Sequence, residues 1–184
     1  MEDEYVTSSG ARMRASLPIV MTFGIGIAAV GCSSPPSDYS PPDSLCGIAV
    51  PADLLKAVLP AGQNVSVHPT SSAWNKRCRL RVDGHDAFSA TVEWWGHDAT
   101  LRRVAEDAVA VEPFDEMTKD HRYIYSNTGA VGIVNCANHG GPKDKLFASV
   151  RVTHDDATAS DMKKLITAYT ESAASPKECT KKRP

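Results

Sequence analysis

Residues 77–82 read Arg-Cys-Arg-Leu-Arg-Val, and this strict alternation constrains the fold more than any other feature of the chain. A period of two is the signature of a β-strand with one buried face. Cys78, Leu80 and Val82 therefore point inward, and Arg77, Arg79 and Arg81 point outward. Residues 86–95 repeat the pattern, with Phe88, Ala90, Val92 and Trp94 as the apolar series. Asp83-Gly84 between the two runs suits a tight two-residue turn. Such a turn would set Leu80 against Ala87, and opposed residues in an antiparallel pair share a face. A three-residue loop, Asp83-Gly84-His85, sets Leu80 against Phe88 and Cys78 against Ala90, so the parity predicts the longer loop.

The remaining elements follow from composition and spacing. Pro51 suits a first helical position, Asp53 favours the positive helix end, and Leu54, Leu55, Val58 and Leu59 form one apolar side before Pro60 and Gly62. Leu101, Val104, Ala105, Ala108 and Val111 lie on one stripe of a helix over 99–111. Tyr123–Ser126 and Ala130–Cys136 read as a hairpin about Asn127-Thr128-Gly129. Leu146, Ala148, Val150 and Val152 alternate with Phe147, Ser149, Arg151 and Thr153 in a further strand. Thr158 and Asp161 match a capping box ahead of Met162, Leu165, Ile166, Tyr169 and Ala173, with Pro176 just beyond. Sequential hairpins predict an α+β fold. It has a mostly antiparallel sheet of about five to six strands with two or three packing helices, in one domain over 46–179 before a basic tail at 180–184.

The N-terminal quarter is of another kind. Residues 17–31, LPIVMTFGIGIAAVG, are too short for a comfortable membrane span and resemble the core of a signal peptide, with Arg12 and Arg14 on the positive side. The acidic opening MEDE fits that role badly, and a true start at Met13 is expected. Ala29-Val30-Gly31-Cys32 resembles the bacterial lipobox, in which the cysteine is acylated and becomes the mature N-terminus. That resemblance implies a signal peptide over 1–31 and lipidation at Cys32; Ala29-x-Gly31 also suits ordinary signal cleavage without lipid. Residues 33–45 are rich in Pro and Ser, so 32–45 reads as the lipidated cysteine with a semi-extended tether.

The chain holds five cysteines. With Cys32 acylated, Cys46, Cys78, Cys136 and Cys179 form an even set that allows three pairings. Cys46–Cys78 with Cys136–Cys179 is preferred, because each bond then fastens a terminal element to the sheet. Lipobox, tether, Leu45-Cys46-Gly47, Lys76-Arg77-Cys78 and Val131-Gly132-Ile133-Val134-Asn135-Cys136 together resemble small secreted actinobacterial lipoproteins of unknown function. These are similar to the Mog1/PsbP-like folds, and the resemblance implies surface exposure and binding. It carries over no catalytic residue.

Lys and Arg number 20 against 22 Asp and Glu, and no basic excess points to nucleic acid. The chain has no G-x-S-x-G, Walker or H-E-x-x-H motif. His154-Asp155-Asp156 reads as a turn or cap, and 139–145 as an exposed connection. Trp95 beside Glu93, with His97 close by, is the candidate binding group, since an exposed aromatic next to a carboxylate can form a ligand platform. The expectation is a non-enzymatic lipoprotein, without cofactor or metal, on the outer face of the cytoplasmic membrane. It is anchored through its lipid and binds an envelope protein or a small ligand. The alternative is an envelope hydrolase or metal-dependent enzyme using scattered His, Asp and Glu; convergence of His97, His121, His139 and His154 would favour it.

Overall fold

A computed structural model describes residues 37–107, 116–136, 144–154 and 156–180. All of these belong to the second of the chain's two units, Ser34–Pro184, the first being Met1–Ser33. The elements in chain order are β1 (Ser44–Leu45), β2 (Ile48–Ala49), α1 (Ala52–Lys56), β3 (Val65–Ser71), β4 (Asn75–Val82) and β5 (His85–Trp95). There follow α2 (Leu101–Asp107), β6 (Glu116–Met117), β7 (Tyr123–Tyr125), β8 (Gly129–Val134), β9 (Lys145–Val152), α3 (Ala159–Ala173) and α4 (Pro176–Cys179).

The fold is α+β. Seven strands form one antiparallel sheet in the order β3-β4-β5-β9-β8-β7-β6, beside a two-stranded ribbon, β1-β2. Two meanders, β3-β4-β5 and β6-β7-β8-β9, thus join where β5 meets β9. β3 and β6 take the sheet past the expected five to six strands, and they, like the separate β1-β2 ribbon, carry little apolar period. Ser44–Leu45 and Ile48–Ala49 flank a turn at Cys46 and Gly47, both in the left-handed region. Glu116–Met117 is two residues long. Val65–Ser71 contains Pro69 and is almost wholly exposed; an edge strand tolerates a proline because its outer N–H groups have no partner strand.

The β4–β5 register corrects one expectation and keeps another. Leu80 pairs with Phe88 and Cys78 with Ala90, as the apolar series requires. The loop, however, is the two-residue Asp83-Gly84, with Val82 paired to His85. Both turn residues have positive φ, 50° and 82°, which is the Asp-Gly hairpin geometry that matches strand twist. Parity is restored by a bulge: the register shifts between Leu80 and Arg81, leaving Ala87 as the extra residue on β5. Ala87 and Phe88 are consequently both buried.

The inner face of the sheet carries Leu80, Phe88, Ala90, Leu146, Ala148 and Val150 against Met162, Leu165, Ile166 and Tyr169 of α3. Gly132 on β8 permits the close approach, since a Cβ there would lie 2.6 Å from the Thr170 methyl and 2.8 Å from the Tyr123 ring. A smaller core on the other face packs Leu101, Val104 and Ala105 of α2 over Ile124, Val131 and Phe147. Ala108 and Val111, read into the same helix, lie outside the described residues.

The ends are fastened covalently. Cys46 is bonded to Cys78 and Cys136 to Cys179, so the first hairpin and the last helix are tied to the sheet. A buried ion pair between Lys76 and Glu178 holds α4 beside its disulfide. Burial, with the Glu178 charge adding to it, pushes the Tyr169 hydroxyl above its ordinary range. Part of the stretch read as tether is docked instead. Tyr39 packs against the main core and donates to the Pro60 carbonyl at 2.5 Å, and the Asp38 amide donates to Gly62 O at 2.9 Å. An aromatic within a Pro/Ser segment has apolar surface to bury, and burial raises its hydroxyl pKa.

Thr158 caps α3. Its hydroxyl oxygen accepts from the Asp161 amide at 3.1 Å, and the hydroxyl donates to the Asp161 carboxylate at 2.7 Å. That hydrogen bond first, and Lys164 second, hold the Asp161 carboxyl below its ordinary value of 3.8. A depressed folded pKa stabilises the native state above the unfolded value, and the gain is lost as pH falls through the folded one. Asp161→Asn is therefore expected to lower stability by ~0.3–1 kcal/mol at pH 7. In urea titrations the gap from wild type should close in strong acid; a gap that is constant with pH would contradict this assignment.

Candidate functional site

Among the described residues, one helix, α2, packs on the outer face of the sheet and covers about half of it. The seven described residues of α2 make about 10 Å of helix, roughly two strands at ~4.8 Å spacing. α2 lies over β7 and β8, whose outward residues Ile124, Val131 and Ile133 are apolar. The outward residues of β4, β5 and the far end of β9 are mostly polar, and among the described residues no helix packs over them. The result is a concavity of about 320 Å³ floored by Ser89, Thr91 and Ser149. Its sides are Arg77, Arg79 and Arg151, and its inner end is Trp95, Val104 and Phe147.

Strand pairing arranges these side chains in rows. Arg79, Ser89 and Arg151 stand side by side across β4, β5 and β9. Arg77, Thr91 and Ser149 form the next row, and Glu93 with Phe147 the row nearest α2. Arg79 and Arg151 thus flank one serine, their Cα atoms roughly 10 Å apart by strand spacing. Like charges across strands are destabilising, and exposed arginines in sheets are commonly offset by a carboxylate. Arg81 has such a partner, Asp86 at 3.1 Å, and Arg103 has Asp107 at 3.2 Å. Among the described residues Arg79 and Arg151 have none. Arg77 Nε donates only to the Thr91 hydroxyl, at 3.4 Å.

Of the residues singled out from sequence, Glu93 and Trp95 line this concavity, and His97 does not: it sits on the exposed turn after β5. Trp94 faces the main core, and Trp95 is half buried, edge-on to Phe147 with ring centroids 6.5 Å apart. The Trp95 indole N–H is buried without an acceptor among the described residues. The arginine row was missed as a site. Its signal lay in the outward positions 77, 79 and 151, which become neighbours only through the β5–β9 pairing.

The histidines stand apart where they are described. His121 is exposed in a left-handed turn, and His154 Nε2 lies 2.9 Å from the Val58 carbonyl, linking the segment after β9 to the turn after α1. His139 and Asp155 lie outside the described residues. Among the described residues no three His, Cys, Asp or Glu side chains gather as a metal-binding set.

Comparison with family models, with curated proteins and with solved structures finds no match for the chain.

Arg79 and Arg151 have no carboxylate partner among the described residues, so a neutral side chain is expected to serve the fold as well there. Arg79→Gln with Arg151→Gln is expected to leave the thermal midpoint unchanged, or to raise it at low salt where like-charge repulsion is least screened. Calorimetry at two salt concentrations checks this; a loss of more than about 1 kcal/mol would make the pair structural.

Proposed function

We propose that the chain is an extracytoplasmic lipoprotein that acts as a non-enzymatic binding module, anchored to the outer face of the cytoplasmic membrane by Cys32 and taking a small ligand on the open half of its sheet. The observation that carries the binding half is the concavity itself, a walled space of about 320 Å³ with convergent polar groups on a rigid sheet. Small-molecule sites have this character: an apolar wall with a few fixed polar groups. Side chains on paired strands are held by the hydrogen-bonded ladder, so they meet a ligand with little ordering cost.

The address rests on other grounds. The two disulfides support an oxidising compartment. They also use all four cysteines after Cys32, leaving that one thiol as the odd member of the set. Two acyl chains on one cysteine give stable anchoring where one chain is marginal. Among the described residues no helix is long and apolar enough to cross a membrane.

Two measurements test the halves separately. On detergent phase partitioning the wild-type protein is expected in the detergent phase and Cys32→Ser in the aqueous phase; equal aqueous recovery of both would remove the anchor. An amide-labelled Cys32→Ser chain is then titrated with a library of small acids, sugars and aromatic fragments. Shifts clustered on Ser89, Thr91 and Ser149 are expected, whereas shifts confined to other surfaces would remove the binding site.

A further inference from the structure

We propose that the ligand is a small organic acid, whose carboxylate or phosphate is clamped between Arg79 and Arg151 over the Ser89 hydroxyl. The inference rests on the binding reading above and adds the chemistry of what is bound.

Charge is the first ground. Three arginines border the concavity, and its two carboxylates do not neutralise them. Asp107 is engaged by Arg103, and Glu93 stands two residues along β5 from Thr91, nearer α2. Among the described residues, the two guanidinium groups on either side of Ser89 have no counter-charge like the one Arg81 receives from Asp86. A ligand oxyanion supplies it. Guanidinium groups bind carboxylate and phosphate through paired N–H donors, and a hydroxyl between them adds a third donor at the same point.

Geometry is the second ground. From Ser89 to Glu93 the strand advances about 13 Å, the span from the acid clamp to the end nearest α2. At that end Trp95 and Val104 offer an apolar surface to the body of the ligand. Glu93 beside them disfavours a second anionic group there. The volume, at the low end for small-molecule sites, admits one acid head with a body of about one ring.

The test uses the full chain carrying Cys32→Ser, with phenyl phosphate as probe and benzyl alcohol as its neutral counterpart, read by amide shifts of Ser89, Thr91 and Ser149. Phenyl phosphate is expected to shift these amides, and its Kd to rise about 10-fold for each arginine replaced by glutamine. Arg79→Lys keeps the charge but loses the paired donors, and is expected to fall between wild type and Arg79→Gln. Its unaltered charge pattern keeps the test decisive if the double variant folds poorly. If benzyl alcohol shifts these amides and phenyl phosphate does not, the acid assignment is overturned while the binding surface stands. If neither probe shifts them, both readings fall. Arginine-dependent co-sedimentation with phosphatidylglycerol vesicles, without a response to phenyl phosphate, would overturn the assignment to a soluble acid.

Discussion

Register is the constraint on which the rest of this structure depends. Strand β4 has two faces with opposite duties: Cys78, Leu80 and Val82 enter the core, while Arg77, Arg79 and Arg81 face solvent. A slip of one residue against β5 would exchange them. It would bury three guanidinium groups at a cost of several kcal/mol each and expose the apolar series. The Asp83-Gly84 turn alone would impose the wrong parity, and the bulge at Ala87 corrects it. The Cys46–Cys78 bond then secures the inward side of the same strand from outside the sheet.

The register that fills the core also builds the outer rows. Arg79, Ser89 and Arg151 come from strands far apart in the chain and become neighbours because β5 pairs with β9. The described part of α2 packs over Ile124, Val131 and Phe147 on the apolar half of the outer face. The other half, as the described residues build it, is polar, bordered by positive charge and closed at one end by Trp95. The net charge of −2 gives no sign of this local row of arginines. The arginine row, without a carboxylate partner among the described residues, and the small walled volume beside it are the observations behind the proposed oxyanion site.

Much of the fold was legible in the residues, and the reasons are local. Alternation over 77–82 and 86–95 marked two strands and their inward faces. Thr158 and Asp161 marked the start of α3, and the apolar stripe from Met162 to Ala173 marked its buried side. The favoured disulfides followed from placing each cysteine on an element, and both bonds form. Elements without apolar period were not legible: the edge strand with Pro69, the ribbon about Cys46-Gly47, and Glu116–Met117. The bulge was half legible. The conflict between an Asp-Gly turn and the apolar series was visible, but a longer loop and an extra strand residue resolve it equally well on paper. Of the site, Glu93 and Trp95 were legible as an aromatic beside a carboxylate. The arginines were visible as outward residues, but their convergence depends on a pairing between distant segments that no local pattern records.

The most direct measurement of this arrangement is the set of cross-strand nuclear Overhauser contacts in the oxidised chain. Contacts centred on Arg79–Ser89 and on Ser89–Arg151 are the expected result, since both follow from the bulged register and the β5–β9 pairing. Contacts centred instead on Arg79–Phe88, with Leu80 opposite Ala87, would contradict it. They would take the arginine row out of line with Ser89, and the site with it.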